Sequence, residues 1–333
     1  MKVVIAGAGF GGLKLARLLS NKPGFEVILI DRFNYHQFQP LFYQVATAGL
    51  DASNISFPLR KVFPKSWNVR IRLAEIKEVR ASENLLITHE ETIPYDVLVL
   101  ATGADTNFFG NAELAAHAFP MKSTVEALQI RHRLLQLFER AHLEKDPEAL
   151  QRMMNIVVVG GGPTGVEVSG ALAEMKQYVL PKDYPELDFS KMNIYLLEGA
   201  DKTLAAMREK SSARSGAYLE KLGVKLLTRT LVRNYDGKEV ELQSGDRIPA
   251  ATVILAAGIK GNVPAGIDPS LIARGNRIKT DRYCRVLGSE NIYAIGDLAY
   301  METPAYPNGH PQVAPAAMQQ AGMLAANLRL IER

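Results

Sequence analysis

Short, unbroken apolar runs that stop at small residues recur along this chain. Val3-Val4-Ile5-Ala6 stops at Gly7-Ala8-Gly9-Phe10-Gly11-Gly12, and Ile156-Val157-Val158-Val159 stops at Gly160-Gly161-Gly162-Pro163-Thr164-Gly165. Runs of this length without polar alternation predict strands buried on both faces, as in parallel sheets. Each glycine turn opens a helical pattern, over residues 13–19 and 166–175. A second apolar run then ends in an acid, residues 26–30 before Asp31 and residues 192–197 before Glu198. Three further buried strands follow the same habit. Residues 95–100 precede Ala101-Thr102-Gly103, residues 251–255 precede Ala256-Ala257-Gly258, and residues 291–295 run into Gly296-Asp297. Residues 123–154 predict a long helix broken near Asp146-Pro147. Strand, turn, helix and strand, twice over, predict an α/β protein with two Rossmann-type domains.

The chemistry sits at the turns. Both satisfy G-x-G-x-x-G in the strand-to-helix context that a dinucleotide fingerprint requires. Gly7 and Gly160 permit the tight turn, Gly9 and Gly162 let backbone approach a pyrophosphate, and Gly12 and Gly165 let helix pack on strand. The helix N-terminus offers free N–H groups and partial positive charge to the phosphates. Asp31 lies about twenty residues past its glycines, as expected for the acid that accepts from a ribose diol. Glu198 lies farther from its own, after an insertion containing Pro181, Tyr184 and Pro185. A carboxylate there favours NADH over NADPH, since it bonds a 2′-OH and repels a 2′-phosphate. Gly199 and Ala200 add no Arg clamp, and Lys202 is expected to be solvated. The plainer alternative for Glu198 is a surface acid at a strand end. Gly296-Asp297 reads either as an ordinary strand-end turn or, beside two dinucleotide units, as an acceptor for the ribityl hydroxyls of a flavin.

Composition narrows the class. Against 39 Lys and Arg stand 35 Asp and Glu, a net +4 with no block of like charge, which argues against a nucleic-acid partner and only hints at an anionic membrane surface. The single cysteine, Cys284, excludes an intramolecular disulfide and a redox pair of thiols, so disulfide-reductase chemistry is ruled out. Cys284 is expected to be a small buried hydrophobe. No stretch of eighteen apolar residues appears, so no membrane-spanning helix is expected, and Met1-Lys2 leads directly into the first strand without a signal peptide.

These motifs together resemble the glutathione-reductase-like flavoproteins, and within them the type II NADH dehydrogenases, the non-proton-pumping NADH:quinone oxidoreductases. The most specific stretch is Tyr35-His36-Gln37-Phe38-Gln39-Pro40-Leu41-Phe42-Tyr43-Gln44-Val45-Ala46-Thr47, similar to that family's F-Q-P-L-x-Y-Q-V-A segment. Residues 161–167 resemble its nucleotide motif, residues 101–110 its A-T-G-A…F-G run, and residues 314–320 its A-Q-x-A-x-Q-Q quinone motif. The resemblance covers essentially the whole chain. Pro315 stands where that motif often has Gln, and Leu255 where many members have Trp.

The resemblance implies FAD on the first unit, with Gly7, Gly9, Gly12, Asp31, Ala101, Thr102, Gly103, Gly296 and Asp297 toward it. It implies NADH on the second, with Gly160, Gly162, Gly165, Glu198 and Gly258 toward it. It places Glu167 near nicotinamide and flavin, and Gln319 and Gln320 in a quinone cleft. The plainer readings are an acid favouring a helix N-terminus and a solvated helix face. No metal is implied. The expected organisation is an NADH domain at 120–267 inserted in an FAD domain at 1–119 and 268–333. The expected reaction is hydride transfer from NADH to FAD, then two electrons to a quinone. Alternatives sharing every dinucleotide motif are a soluble NADH-dependent reductase of a protein carrier or oxygen, and a flavin-bound NADH sensor like apoptosis-inducing factor. Family members continue well past the position of Arg333 into membrane-facing helices. The chain is therefore expected to be C-terminally truncated and soluble by itself, the longer form lying peripherally on the cytoplasmic face of the cell membrane. A homodimer is compatible with the resemblance.

Overall fold

The computed structural model describes residues 1–332. The chain divides into two compact units. The first comprises Met1–Gln37, Ser56–Asp105 and the residues from Ile259 onward, and the second comprises Phe38–Ile55 and Thr106–Gly258.

In the first unit five parallel strands lie in the order Ile292–Ala294, Val97–Leu100, Lys2–Ala6, Glu26–Asp31, Val69–Leu73. The chain starts in the middle strand and builds outward on both sides, so a crevice opens at the carboxyl ends beside Lys2–Ala6, where open α/β sheets bind ligands. Val3, Ile5, Leu29 and Val99 point to one face and pack on helices Phe10–Leu19 and Ala314–Ile331. Val4, Ala6, Ile28 and Leu100 point to the other and join the antiparallel sheet Ile76–Arg80, Leu85–Thr88, Thr92–Pro94 in a separate core. Burial on both faces accounts for the missing polar alternation.

The second unit repeats the plan. Its parallel strands run Phe119–Pro120, Thr252–Leu255, Asn155–Val159, Asn193–Leu197, Lys225–Leu227. Helices Thr124–Ala141, Pro147–Met154 and Pro163–Tyr178 cover one face. The antiparallel sheet Val232–Tyr235, Glu239–Leu242, Arg247–Pro249 covers the other. The break expected at Asp146-Pro147 is a helix start: the Asp146 carboxylate accepts from the Glu148 N–H at 3.1 Å, and Pro147 takes the first turn, where its missing N–H costs nothing. The short helix Phe42–Ala46 belongs to this unit. It buries Phe42, Val45 and Ala46 against helices Thr124–Ala141 and Pro163–Tyr178.

Among the described residues no helix is long and apolar enough to cross a membrane. Cys284 is fully buried in the first unit's core, and that burial pushes its thiol up to about 12. At pH 8 the native thiol should therefore react with iodoacetamide at least roughly a thousandfold more slowly than the unfolded chain, since thiolate is the nucleophile. Rapid labelling of the native protein, followed by mass spectrometry, would contradict this packing.

Candidate functional site

The three glycines of each fingerprint meet different surroundings, and the two fingerprints meet the same ones. Gly7 has φ +109°, and a Cβ there would lie 2.2 Å from the Ala101 carbonyl oxygen. Gly160 also has φ +109°, and its Cβ would lie 2.7 Å from the Ala257 nitrogen. A side chain at Gly12 would strike the Gly7 carbonyl at 1.9 Å, and one at Gly165 would strike the Gly160 carbonyl at 1.8 Å. Turn and helix packing thus exclude any Cβ at four positions. Gly9 and Gly162 differ: each has ordinary φ, −68° and −72°, and nothing lies within 4 Å of the missing Cβ. Their bare backbone faces open space at a helix N-terminus that no side chain caps. Sterics of the folded chain do not require glycine at either position, whereas close approach of a pyrophosphate does.

Each acid is held by two backbone donors in matching places. The Asp31 carboxylate accepts from the Ala8 N–H at 2.7 Å and the Phe33 N–H at 2.8 Å. The Glu198 carboxylate accepts from the Gly161 N–H at 2.5 Å and the Ala200 N–H at 2.7 Å. Burial raises the Asp31 carboxyl above its ordinary range, with the Ala8 and Phe33 donors and Arg32 opposing it. Glu is one methylene longer than Asp, and the room comes from residue 161. A Cβ on Gly161 would lie 2.8 Å from Glu198 Oε2, whereas its counterpart Ala8 carries a methyl. Beside Glu198, Lys202 lies at the surface in solvent and pairs there with Glu209. It is thus engaged by a carboxylate of its own.

Around Asp31 a cavity of about 250 Å³ is lined by Gly7, Ile30, Asp31, Arg32, Thr102 and Asn262, among others. Its far wall is clasped. Thr102 donates its hydroxyl to the Asn262 carbonyl at 2.6 Å, and the Asn262 N–H donates to the Gly103 carbonyl at 3.0 Å. Gly103 and Gly258 both adopt left-handed backbone, φ +68° and +71°, at the ends of equivalent strands. Ala101 and Ala256 likewise donate their N–H groups to the ends of the fingerprint strands, at Ala6 and Val159.

Gly296 has φ +72° and starts a 3-10 turn, Gly296–Leu298, that carries Asp297. Gln320 is buried, and its side-chain carbonyl accepts from the Gly296 N–H at 2.7 Å. Gln312 donates to the Asp297 carbonyl at 2.8 Å. Two amides therefore hold the Asp297 turn, and Gln312 is a residue that no motif singled out. Gln319, one step along helix Ala314–Ile331, is exposed.

Glu167 lies in the first part of helix Pro163–Tyr178. It lines a groove of about 550 Å³ together with Tyr43, Gln44, Thr47, Glu174 and Tyr178. Partial burial raises its carboxyl above the usual carboxylate range. The groove exists because helix Phe42–Ala46 packs on helix Pro163–Tyr178, so the family-like segment and the nucleotide helix meet at Glu167.

Among the described residues no cluster of acids, His or Cys could hold a metal. The arrangement can hold two dinucleotides by their phosphates and riboses, and it offers no protein nucleophile, which suits hydride chemistry carried by cofactors.

The chain is similar to known proteins. The sequence model of the pyridine nucleotide-disulphide oxidoreductase family matches residues 1–321. A type II NADH:quinone oxidoreductase of Mycobacterium tuberculosis is 34% identical, the match covering 98% of this chain and 72% of that protein. One from Haemophilus influenzae is 30% identical, covering 98% and 79%. In fold the chain is similar to the solved structure of NDH2 from Plasmodium falciparum in complex with NADH, with a TM-score of 0.88, 21% identity, and coverage of 98% of this chain and 83% of that one. With a family match over residues 1–321 and relatives this similar along nearly its whole length, the chain belongs to the pyridine nucleotide-disulphide oxidoreductase family and, within it, to the type II NADH:quinone oxidoreductases.

Proposed function

We propose that this chain oxidises NADH with a bound FAD and passes the two electrons to a quinone, without pumping protons. The observation that carries the reading is the pair of glycine positions, 9 and 162, whose missing side chains leave open space in a chain 34% identical to a type II NADH:quinone oxidoreductase. A flavin, when bound, supplies the two-electron exchange between nicotinamide and acceptor. The protein's part is binding and orientation. In this reading Gly7, Gly9, Gly12 and Asp31 hold the FAD pyrophosphate and ribose, and the Ala101-Thr102-Gly103 turn walls the same cavity. The Gly296-Asp297 turn, braced by Gln320 and Gln312, faces the ribityl chain. Gly160, Gly162, Gly165, Glu198 and Gly258 hold NADH. Glu167, with a carboxyl that keeps its proton to higher pH than an exposed Glu, is assigned beside the reacting rings. Gln319, exposed on the helix that carries Gln320, is assigned to the quinone. In this reading the protein works peripherally at the cytoplasmic face of the cell membrane, and residues 120–267 form an NADH domain inserted in the FAD domain.

Anaerobic NADH should bleach the flavin absorbance of the purified protein. Turnover should follow with a water-soluble short-chain quinone and be absent with a ferredoxin-like carrier. Bleaching with the reverse acceptor preference would replace the quinone reading by a soluble reductase, and slow turnover with both acceptors would favour a sensor.

The two fingerprints should separate by mutation. Gly9→Val puts a branched side chain into the first unit's open space, so the protein should purify colourless but folded by circular dichroism. Gly162→Val should stay yellow and lose reduction by NADH. Colour lost in Gly162→Val alone would exchange the two cofactor assignments.

Coenzyme choice should rest on Glu198. NADH should reduce the flavin far faster than NADPH, because a buried hydrogen bond to the 2′-OH is replaced by repulsion of a 2′-phosphate. Glu198→Arg should shift the ratio of kcat/KM toward NADPH by at least about tenfold, the effect of some 1.4 kcal/mol. Equal use of both coenzymes by the unaltered protein would remove Glu198 from the site.

A further inference from the structure

Gly103 and Gly258 follow equivalent strands with the same left-handed backbone, yet their surroundings differ. Nothing lies within 4 Å of the missing Cβ of Gly103. A Cβ on Gly258 would lie 2.4 Å from Cζ of Phe109. In the second unit, then, an aromatic ring rests on the glycine that follows strand Thr252–Leu255.

Burial does not explain this position. Phe109 is 67% exposed, the most exposed phenylalanine among the described residues. Its backbone is itself left-handed, φ 54°, a region that bulky residues rarely enter because the Cβ crowds the chain. The turn around it is fixed at both ends. The Asn107 N–H donates to the Gly258 carbonyl at 3.2 Å, and the Asn107 side-chain oxygen accepts from the Phe109 N–H at 2.9 Å. Asn111 donates its amide to the Arg233 carbonyl at 3.0 Å and accepts from the Leu114 N–H at 2.8 Å. Phe108 packs against the core of the unit. Neighbours thus hold Phe109 in a strained conformation, with its ring on a glycine and most of its surface in the open. Strain kept by such over-determination is characteristic of residues that contact a ligand.

The sheet says which part of a ligand passes there. Strand Asn155–Val159 carries the glycine turn and has a different neighbour on each side. On one side Asn193–Leu197 runs to Glu198, and on the other Thr252–Leu255 runs toward Gly258. A Cβ on Gly160 would lie 2.7 Å from the Ala257 nitrogen, so the turn touches the residue just before Gly258. In the proposed function the adenosine ribose meets Glu198 and the pyrophosphate crosses the turn. The nicotinamide half then leaves the turn on the Gly258 side, where Phe109 stands.

We infer that Phe109 is the aromatic wall against which the nicotinamide ring of NADH packs. An exposed phenyl ring offers a flat heterocycle dispersion and edge-to-face contacts. A wall fixed by its own turn also restricts the orientations in which that ring presents its hydride. Gly258 is then required twice, for its φ of +71° and because any side chain there would displace the phenyl ring. The inference rests on the second unit being the NADH cradle.

The test is calorimetric titration of the FAD-loaded protein with NAD⁺ and with ADP-ribose, which lacks only the nicotinamide ring. Phe109→Ala should weaken NAD⁺ binding roughly fivefold, the scale of one aromatic contact, and leave ADP-ribose binding unchanged. Phe109→Tyr should bind both ligands as the unaltered protein does. Phe109→Gly relieves the left-handed backbone, so its melting temperature should hold or rise while its NAD⁺ affinity falls as in the alanine variant. A ring that only props the turn predicts the opposite, a lower melting temperature and equal losses for both ligands. That outcome, or NAD⁺ affinity unmoved in Phe109→Ala, would overturn the assignment. An unaltered protein that binds neither ligand would overturn the NADH cradle itself, and this contact with it.

Discussion

No atom fits on the α-carbon of residue 7 except hydrogen. A methyl there would sit 2.2 Å from the Ala101 carbonyl oxygen, because the first strand and the strand Val97–Leu100 are neighbours and their turns press together at the carboxyl end of the sheet. Much else follows from that contact. The turn can tighten only with φ +109°, helix Phe10–Leu19 can start only where Gly12 rests on the Gly7 carbonyl, and the free N–H groups of its first turn then face open space at Gly9. The second unit solves the same problem with the same angle at Gly160 and the same collision at Gly165. A binding cradle made of backbone is inexpensive to repeat, since it depends on the absence of side chains rather than on their identity.

The two cradles differ where a carboxylate must reach the ribose. Asp31 and Glu198 use equivalent backbone donors, one just after the first glycine and one two residues past the acid. The longer side chain of Glu198 is accommodated by removing a methyl from the opposite turn, Gly161 in place of an Ala8-like residue. Acid and turn are thus coupled across a gap of 37 residues by the length of one methylene. The same economy appears at Gly296, where a side-chain amide from the C-terminal helix supplies an acceptor for a turn N–H. A buried N–H left without that acceptor would carry a desolvation penalty of about 1–3 kcal/mol. This bond therefore fixes both the turn and the helix that approaches it.

Much of the site was legible because its signals are local. Valine and isoleucine runs mark strands buried on two faces, glycine marks backbone that cannot carry a Cβ, and Asp146-Pro147 marks a break, which the structure resolves as the start of a second helix. Gln312 was not legible, because nothing in its own neighbourhood indicates that its amide will meet the Asp297 carbonyl. Nor was the setting of residues 38–55, whose wording resembles a family segment while its packing is decided by Phe42, Val45 and Ala46 finding helices that begin some eighty residues or more later.

The sequence by itself determined the repeated strand–glycine–helix–acid order, and with it the fold class and the two dinucleotide cradles, because those features are set by backbone sterics over a few residues. Only the tertiary structure decided what Gln320 holds, that Lys202 is tied to Glu209, and that the family-like segment meets Glu167. Each of these depends on hydrogen bonds, ion pairs or apolar contacts between groups that the folded chain brings together, and no local pattern of residues encodes which partner a side chain will find.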